Sequence, residues 1–394
     1  MSESHLTRFL LLPELKLTDF KFRSTDRFYR AIKESRFEVC PKCATPSFKV
    51  HDRRKVTVKD APDAGKSKWI TIVKRRFRCP KCKSVFTEPI QGIRKGARVT
   101  QKFEHSILWA CEVFSDLKKV KTTYKCSYKL IYKCFYRQLE LKQREKMNDP
   151  WPKTLGIDEH GLFRDKKRGA REFATIFVDY TNKRVKEVVE GKSHAELEKG
   201  ICHIKGKERV QNVVIDLADP YKYFVKNYFP NAKIVADKFH VLRLLNPAIN
   251  RRRIGITGDK RTLGIRRLLL KNGFHLDYFT RSHIWKWLEN YPELKEVYAY
   301  KEWLHRLYRC RGYTKARRSL IAMIDQMASS KIKEIITLRR TLQKWFNEIL
   351  RYFSTRITNA RTEAFNNHAK LIQRKAYGFK SFTNYRLRLL NACS

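Results

Sequence analysis

The spacing of hydrophobic residues changes several times along the 394-residue chain. Apolar residues alternate in the manner of β-strands at residues 56–58 and 69–73. After Thr100, which can cap a helix, apolar residues recur every three or four positions, and a second helical run surrounds Ile131. The N-terminal part is therefore expected to contain a β-rich region followed by two or three helices.

A new order begins at residue 154, after a polar and proline-broken stretch at 140–152 that predicts a domain boundary. The pattern predicts strands at 154–157, 173–180 and 185–189, a helix at 194–202, a strand ending at Asp216, a helix at 221–229 and a strand ending at Asp237. Three strands followed by alternating helices and strands are typical of a ribonuclease-H-like domain, with a mixed sheet covered by helices.

The rest of the chain is mainly helical in pattern. Residues 241–357 carry apolar stripes at helical spacing, which predicts an all-helical insertion into the core. Thr358 can cap a final helix that presents Asn359, Glu363, Asn366 and Lys370 on one face. The tail at 376–388 interleaves aromatic and basic residues, which suits either nucleic acid or docking on the sheet edge.

The amino-acid composition indicates the kind of partner that the protein binds. The hydrophobic fraction of 42% is sufficient for folded cores, and 87 Lys and Arg against 39 Asp and Glu give a net charge of +48. The excess is spread over nearly every segment, as in proteins that bind polyanions, but charge alone does not separate DNA from RNA. No apolar run approaches the roughly 18 to 20 residues that span a bilayer, so we expect no membrane partner and a cytoplasmic protein.

Two cysteine pairs predict a metal centre. Cys40 and Cys43, like Cys79 and Cys82, flank a Pro-Lys dipeptide, and such knuckles aim four thiolates at one structural zinc ion. The 35 residues between the pairs exceed the roughly 15 to 20 of a common ribbon, so we expect a long hairpin to fill the difference. The alternatives are four unrelated buried cysteines, or replacement of one thiolate by His51.

The helices after Thr100 suggest a DNA-binding element. Lys125, Lys129, Lys133 and Arg137 are spaced by four, which predicts one basic face on the last helix of a helix-turn-helix region. Such a face can follow phosphates or enter a major groove. A merely solvated basic face is the alternative.

Carboxylates at strand ends point to chemistry. Asp158 ends an apolar run, and Asp216 and Asp237 do the same in later strands, while Glu363 lies on the final helix. Carboxylates flanked by valine and isoleucine lose solvation and repel one another, so a group of them requires cations. Magnesium prefers such oxygen ligands, and a pair of ions can promote phosphoryl transfer. We expect Glu159 on the opposite side of the strand from Asp158.

At these positions the chain resembles the DDE-type insertion-sequence transposases of the ISL-three family over nearly its whole length. The matching stretches are the two Cys-Pro-Lys-Cys knuckles with Arg75-Arg76-Phe77-Arg78 before the second, Gly156-Ile157-Asp158-Glu159, Asp216 followed by Tyr221, Asp237-Lys238-Phe239-His240-Val241, Thr358-Asn359 leading to Glu363 and Asn366, and Ala376-Tyr377-Gly378-Phe379. The resemblance implies a catalytic triad of Asp158, Asp216 and Glu363, and leaves open whether Asp237 is catalytic.

The expected protein is an α+β multidomain transposase. Its expected parts are an N-terminal zinc-binding domain (1–92), a helix-turn-helix DNA-binding region (93–147), the first part of a ribonuclease-H-like core (153–250), a helical insertion (251–357), and a catalytic helix with a C-terminal tail that completes the core (358–394).

The expected activity is binding of terminal inverted repeats, followed by metal-dependent DNA cleavage and strand transfer. Zn²⁺ would be structural, and Mg²⁺ or Mn²⁺, as two ions, catalytic. The partners would be double-stranded DNA at element ends and targets, and another copy of the chain, since joining two ends implies at least a homodimer. In a bacterial cytoplasm the bound protein would be associated with the nucleoid. The alternatives are a catalytically inactive zinc-ribbon regulator derived from such an enzyme, and a structural RNA-binding protein.

Overall fold

The computed structural model describes residues 12–113, 116–146, 148–164, 171–258, 263–379 and 381–394. Residues 1–11 of the expected zinc-binding domain and Lys380 of the tail lie outside the described residues. The chain divides into two compact units: Met1–Lys142 with Lys375–Tyr377, and Gln143–Arg374 with Gly378–Ser394. Within the described ranges, no helix is both long and apolar enough to cross a bilayer.

The first unit begins with β-structure. Its strands are β1 (Leu15–Phe22), β2 (Asp26–Lys33), β3 (Glu38–Val39), β4 (Pro46–Ser47), β5 (Val50–Asp63), β6 (Lys66–Arg78) and β7 (Val85–Thr87). The main sheet has the order β1-β2-β6-β5 with β7 beside β6, and β3 pairs with β4. Strands β5 and β6 form a long antiparallel hairpin, so the hairpin predicted between the two cysteine pairs is confirmed. Its turn uses the positive φ angles of Ala64 and Gly65, which suit the twist of a tight hairpin.

Three helices follow: α1 (Gln101–Val113), α2 (Leu117–Tyr124) and α3 (Tyr128–Lys146). Thr100 caps α1 as predicted, because its Oγ1 accepts a hydrogen bond from the Phe103 amide at 3.1 Å. The predicted basic face is wrong in its first member. Lys125 lies in the turn before α3 with a φ of 46°, whereas the other three predicted bases, Lys129, Lys133 and Arg137, lie on the helix and are exposed.

The second unit is built on a five-stranded mixed sheet. Its strands are β8 (Thr154–Arg164), β9 (Arg171–Asp179), β10 (Arg184–Glu190), β11 (Asn212–Ile215) and β12 (Lys233–Ala236). They lie in the order β10-β9-β8-β11-β12, with β8, β9 and β10 antiparallel and β11 and β12 parallel to β8. All five predicted strands are present; β8 extends well beyond the predicted 154–157, and β9 begins at Arg171, before the predicted start at 173.

Helices surround this sheet. They are α4 (His194–Ile201), α5 (Asp219–Tyr228), α6 (Lys238–Arg243), α7 (Asn246–Thr257), α8 (Leu263–Leu270), α9 (Tyr278–Glu289), α10 (Pro292–Leu307), α11 (Tyr313–Gln326), α12 (Lys333–Lys344), α13 (Phe346–Thr355), α14 (Ala360–Lys375) and α15 (Phe382–Ala392), with short 3₁₀ turns at Lys207–Arg209, Gly273–His275 and Met327–Ser329. One hydrophobic cluster joins Phe177 and Val214 of the sheet to Leu304 and Ile349 of the helices after β12. The helices at 241–357 thus share the core of the sheet.

The opposite face of the sheet is covered by the C-terminal helices. Ile176 of β9 packs with Ala369 of α14 and with Tyr385 and Leu389 of α15, whereas its neighbour Phe177 packs on the other side. This alternation follows from the period of two along a strand. Of the two roles considered for the tail, nucleic-acid binding and docking on the sheet edge, the structure shows contact with the edge strand, since α15 packs on β10.

Candidate functional site

Three aspartates lie level with one another across adjacent strands. Val214 of β11 pairs with Gly156 of β8, and Ile215 of β11 pairs with Ala236 of β12. Asp216 and Asp237 follow their strands directly, so this register aligns both with Asp158 in β8. Residues at the same level of neighbouring parallel strands point to the same face. The sheet therefore brings together the aspartates that the sequence singled out.

His240 lies between two of these carboxylates. Its Nδ1 is 2.9 Å from Oδ1 of Asp216 and 2.9 Å from Oδ2 of Asp237. The three side chains offer ligand atoms within 4.8 Å of one another, which a metal ion could share. The hydrogen bonds to Asp216 and Asp237 raise the pKa of His240 to about 10. This pKa favours the protonated imidazole, which neutralises part of the acidic cluster but is not itself able to bind a metal ion.

The two carboxylates beside His240 differ in their exposure to solvent and in how many of their oxygens accept hydrogen bonds. Asp237 is 2% exposed and caps α6, because its Oδ2 accepts the His240 amide at 3.1 Å. Its Oδ1 accepts the Asn359 amide at 3.0 Å. Burial acts to raise the pKa of Asp237, but the bonds from His240 and Asn359 outweigh it and lower the pKa overall. Both oxygens of Asp237 are thus engaged inside the protein.

Asp216 is more open. Its side chain is 24% exposed, and its Oδ1 accepts a hydrogen bond from the Asn359 side-chain amide at 3.2 Å. Asn359 thus donates its side chain to one aspartate and its backbone to the other. Of the two strand-end carboxylates, Asp216 has the greater capacity to bind an ion from solvent.

Asp158 is partly buried and held at both oxygens. Oδ1 accepts the Glu159 amide at 2.8 Å, and Oδ2 accepts the Asn366 side-chain amide at 2.5 Å. Burial and the negative charge of Asp216 raise the pKa of Asp158 to about 6. A cation between the two carboxylates would remove this repulsion. Glu159 points away as predicted, with its carboxylate 3.7 Å from the Lys192 ammonium.

Glu363 lies on helix α14, close along the chain to two asparagines that contact the aspartates. It lies in the first turn and is exposed, four residues after Asn359 and three before Asn366. Because these two asparagines contact Asp216 and Asp158, the face of α14 that carries Glu363 lies over the aspartates. Among the described residues, neither Glu363 nor Asp158 belongs to a group of three or more potential metal-binding side chains whose ligand atoms lie within 4.8 Å of one another.

The prediction that Thr358 caps this helix is wrong, because α14 begins at Ala360 and the residue directly before it is Asn359. The carbonyl of Thr358 instead accepts the Tyr180 hydroxyl at 2.8 Å. This bond ties the segment before α14 to the end of β9. It contributes to placing the helix, and with it Glu363, against the sheet.

Two residues that the sequence reasoning missed complete the surroundings of Asp158. His160 hydrogen-bonds Asn366 through Nδ1 at 2.9 Å and Tyr385 through Nε2 at 2.5 Å. Burial lowers the pKa of His160 to about 4. One signal was available in the sequence, since residues two apart on a strand share a face and His160 follows Asp158 by two. Tyr385 carried no such signal.

The four knuckle cysteines form a separate cluster in the first unit. Cys40 Sγ lies 3.6 Å from Cys82 Sγ, and Cys43 Sγ lies 3.4 Å from Cys79 Sγ. A tetrahedral zinc site with bonds of about 2.3 Å spaces its sulfurs about 3.8 Å apart, so the donor set and spacing fit zinc. His51 is not a member of the cluster. A hydrogen bond from Ser84 is the main cause that lowers the pKa of Cys40 to about 6, which favours the thiolate that binds metal.

Both knuckles use the same backbone turn. The residue after the second cysteine, Ala44 in one and Lys83 in the other, has a positive φ of 54° and 57° respectively. The first cysteine of each pair donates its amide five residues ahead, to the Thr45 carbonyl at 3.0 Å and the Ser84 carbonyl at 2.9 Å. The two pairs therefore present their thiols in equivalent geometry.

The first unit carries a four-cysteine cluster and the second carries a mixed sheet with three aligned aspartates, the combination expected of a DDE transposase. The chain belongs to the ISL-three family of these proteins. Residues 155–389 match the family model described as transposase, and residues 36–82 match the zinc-finger of transposase IS204/IS1001/IS1096/IS1165. The resemblance inferred from the sequence is thereby confirmed.

Two relatives illustrate the similarity. The transposase for insertion sequence element IS1001 of Bordetella parapertussis is 23% identical over 364 residues, which are 89% of this chain and 87% of that protein. A protein described as an ATP-dependent protease of Lactococcus lactis subsp. lactis is 41% identical over 54 residues, 14% of this chain and 17% of its own length. The first match extends across both units, whereas the second is local.

Proposed function

We propose that this protein binds the terminal inverted repeats of an insertion sequence, cleaves the DNA at the element ends and transfers the freed strands to target DNA. The observation that carries the proposal is the alignment of Asp158 and Asp216 on adjacent strands beneath the helix face of Glu363. A pair of divalent ions, Mg²⁺ or Mn²⁺, would there activate the attacking oxygen and stabilise the leaving one.

Each residue of the site has a role in this proposal. Asp158, Asp216 and Glu363 would hold the metal ions, since they offer oxygen donors of the kind that magnesium prefers. Asp237 would be a positioning residue, because one of its carboxylate oxygens accepts the His240 amide at the start of α6 and the other accepts the Asn359 amide. His240 would orient Asp216 through the 2.9 Å contact between them.

The sheet order supports a ribonuclease-H-like core. Three antiparallel strands, β8, β9 and β10, form one side, and two strands parallel to β8 extend the other, with helices on both faces. The domain layout proposed is the one expected from the sequence: zinc-binding at 1–92, DNA-binding helices at 93–147, and a core of 153–250 and 358–394 around the helical insertion at 251–357.

DNA is the proposed partner of the basic surface. The exposed Lys129, Lys133 and Arg137 on α3 provide three phosphate contacts at helical spacing in the proposed helix-turn-helix region. The net charge of +48 would supply strong, salt-dependent association with double-stranded DNA. Zinc held by the four cysteines would stabilise the neighbouring ribbon, and joining two ends requires at least two copies of the chain.

A nicking assay tests the proposal. Purified protein with Mg²⁺ should cut DNA that carries the element ends, and Asp158→Asn, Asp216→Asn and Glu363→Gln should each abolish cutting while end binding persists. The matched control is Asp325→Asn, a carboxylate of the helical insertion. If all three variants cut like the wild type, the proposed catalytic site is wrong. If the wild type binds ends without cutting under any divalent ion, the inactive regulator replaces the transposase.

A further inference from the structure

We propose that Tyr385, His160 and Asn366 form a hydrogen-bonded relay that fixes the Asp158 carboxylate in the orientation that binds a divalent metal ion. The proposal rests on the function proposed above, in which Asp158 is a metal ligand. It assigns positioning roles to three residues outside the proposed triad. It also links the last helix of the chain to the site.

The relay consists of three consecutive contacts. The Tyr385 hydroxyl lies 2.5 Å from His160 Nε2, His160 Nδ1 lies 2.9 Å from Asn366 Oδ1, and Asn366 Nδ2 lies 2.5 Å from Asp158 Oδ2. The three relay side chains are 0%, 3% and 3% exposed respectively. Water therefore cannot readily replace any of these bonds, and buried polar groups of this kind depend on one another for their partners.

The chemistry of the groups sets the direction of every bond. A carboxylate can only accept, so the Asn366 amide nitrogen must face Asp158 and the amide oxygen must face His160. An amide oxygen also only accepts, so His160 carries its proton on Nδ1. A buried imidazole between two neutral partners is best accommodated uncharged, which leaves Nε2 as an acceptor for the Tyr385 hydroxyl proton.

The relay has a rigid origin. Tyr385 belongs to the cluster that packs α15 on the sheet, and its ring centroid lies 5.3 Å from that of Phe379 and 6.2 Å from that of Phe382. The position of the phenol oxygen is thus set by core packing. In known metal sites, residues that hydrogen-bond to a metal ligand fix its orientation and alter the affinity of the site for the metal.

Only one oxygen of Asp158 is oriented by the relay. Oδ2 accepts from Asn366, while Oδ1 accepts the backbone amide of Glu159 in the same strand. Together the two bonds leave the carboxylate one orientation, with the remaining lone pairs free for a cation. Without the relay, Oδ2 would keep no fixed donor and the carboxylate could rotate about its last torsion.

Tyr385→Phe is the sharpest test, because it removes one hydroxyl and keeps the packing ring. Mn²⁺ binding to the DNA-free, full-length protein, followed by electron paramagnetic resonance, should show the Asp158-dependent site weakened about tenfold or more. The Mn²⁺ concentration that gives half-maximal cutting should rise by a similar factor, with end binding unchanged. Tyr228→Phe, which also removes a buried hydroxyl in the same unit, is the matched control and should leave both values unchanged.

A second measurement reads the relay directly. Nitrogen chemical shifts of the His160 ring should report a proton on Nδ1 in the wild type. Tyr385→Phe should move the Nε2 shift, because that nitrogen loses the hydroxyl that donates to it. His160→Gln retains a donor and an acceptor and should preserve more Mn²⁺ affinity than His160→Leu. This comparison also serves if Tyr385→Phe does not fold.

The possible results distinguish a failure of the relay from a failure of the proposed transposase function. If Tyr385→Phe leaves both the Mn²⁺ affinity and the His160 nitrogen shifts at wild-type values, the relay is overturned while the transposase proposal stands. The same holds if His160→Gln and His160→Leu both bind Mn²⁺ as tightly as the wild type. If Asp158→Asn binds Mn²⁺ as the wild type does, Asp158 is not a ligand and the proposed function fails with the relay. Weakened Mn²⁺ binding together with a changed His160 Nε2 shift in Tyr385→Phe supports both.

Discussion

A methyl group on Gly156 would lie 2.0 Å from Oγ1 of Thr362. The φ angle of Gly156 is not positive, so its backbone conformation does not require glycine. Glycine is needed because strand β8 and helix α14 approach each other closely. The Tyr180 ring borders the same space, 2.7 Å from that methyl position. This contact sets the distance between the strand that carries Asp158 and the helix that carries Glu363.

Gly156→Ala should therefore push α14 away from the sheet and separate Glu363 from the two aspartates. We expect end cutting to fall at least tenfold, since small displacements of reacting groups have effects of about 100-fold. Overpacking of this kind costs about 1–3 kcal/mol of stability, so the variant should remain folded. Cutting and thermal unfolding are measured together. Gly255→Ala, where a methyl group meets open space, is the control, and equal activity of the two variants would contradict the argument.

Asp216 and Asp237 should respond differently to the same substitution. Asp216→Asn removes a proposed ligand and should abolish cutting with little change in stability. Asp237→Asn turns one acceptor into a donor facing the amide donors of His240 or Asn359, which should cost about 1–3 kcal/mol. Cutting and melting temperature are compared for both. A stable, inactive Asp237→Asn together with an active Asp216→Asn would reverse the assignment of ligand and positioning residue.

Arg386 should anchor the last helix. Its guanidinium binds the carboxylate of Glu187 at both oxygens, at 2.6 Å and 2.5 Å, and Glu187 is 3% exposed. Arg386→Ala leaves this buried carboxylate without its main partner, which should destabilise the second unit by about 3 kcal/mol. Denaturant unfolding measures the loss. Arg388→Ala in the same helix is the comparison, and equal effects of both variants would argue against the ion pair.

The same pair predicts a pH dependence. Burial acts to raise the pKa of Glu187, but hydrogen bonds from His203 and Arg386 outweigh it and lower the pKa below the ordinary value of 4.5. A carboxyl with a lowered folded pKa stabilises the protein above its unfolded pKa, and the contribution is lost as the pH falls through the folded value. Wild-type stability should therefore fall below pH 4.5 more steeply than that of Glu187→Gln. Parallel curves would contradict the prediction.

Zinc content tests the cysteine cluster. Cys40→Ser and Cys79→Ser should each lose the bound zinc found in wild-type protein by metal analysis, because a closed structural site needs its four ligands. Cys202→Ser, an exposed cysteine outside the cluster, should retain it. Unchanged zinc in either knuckle variant would exclude the four-thiolate site.

Much of this protein was predictable from local pattern. The presence of the five strands of the second unit along the chain, the hairpin between the knuckles and the opposite orientation of Glu159 all depend on residue periodicity over a few positions. The cysteine knuckles and the motif stretches were sufficient to identify the family. These features are determined by backbone geometry within short segments, which the sequence displays directly.

Other features were decided only by tertiary packing. Lys125 carries the right spacing for α3 yet ends up in the turn before it, since the chain there takes a left-handed conformation. The engaged oxygens of Asp237 depend on Asn359, 122 residues away. The contact between His160 and Tyr385 spans 225 residues. The sequence by itself determined the elements and the candidate ligands, whereas the partners of each ligand depended on how distant helices pack on the sheet, because side-chain contacts across such separations leave no periodic signal along the chain.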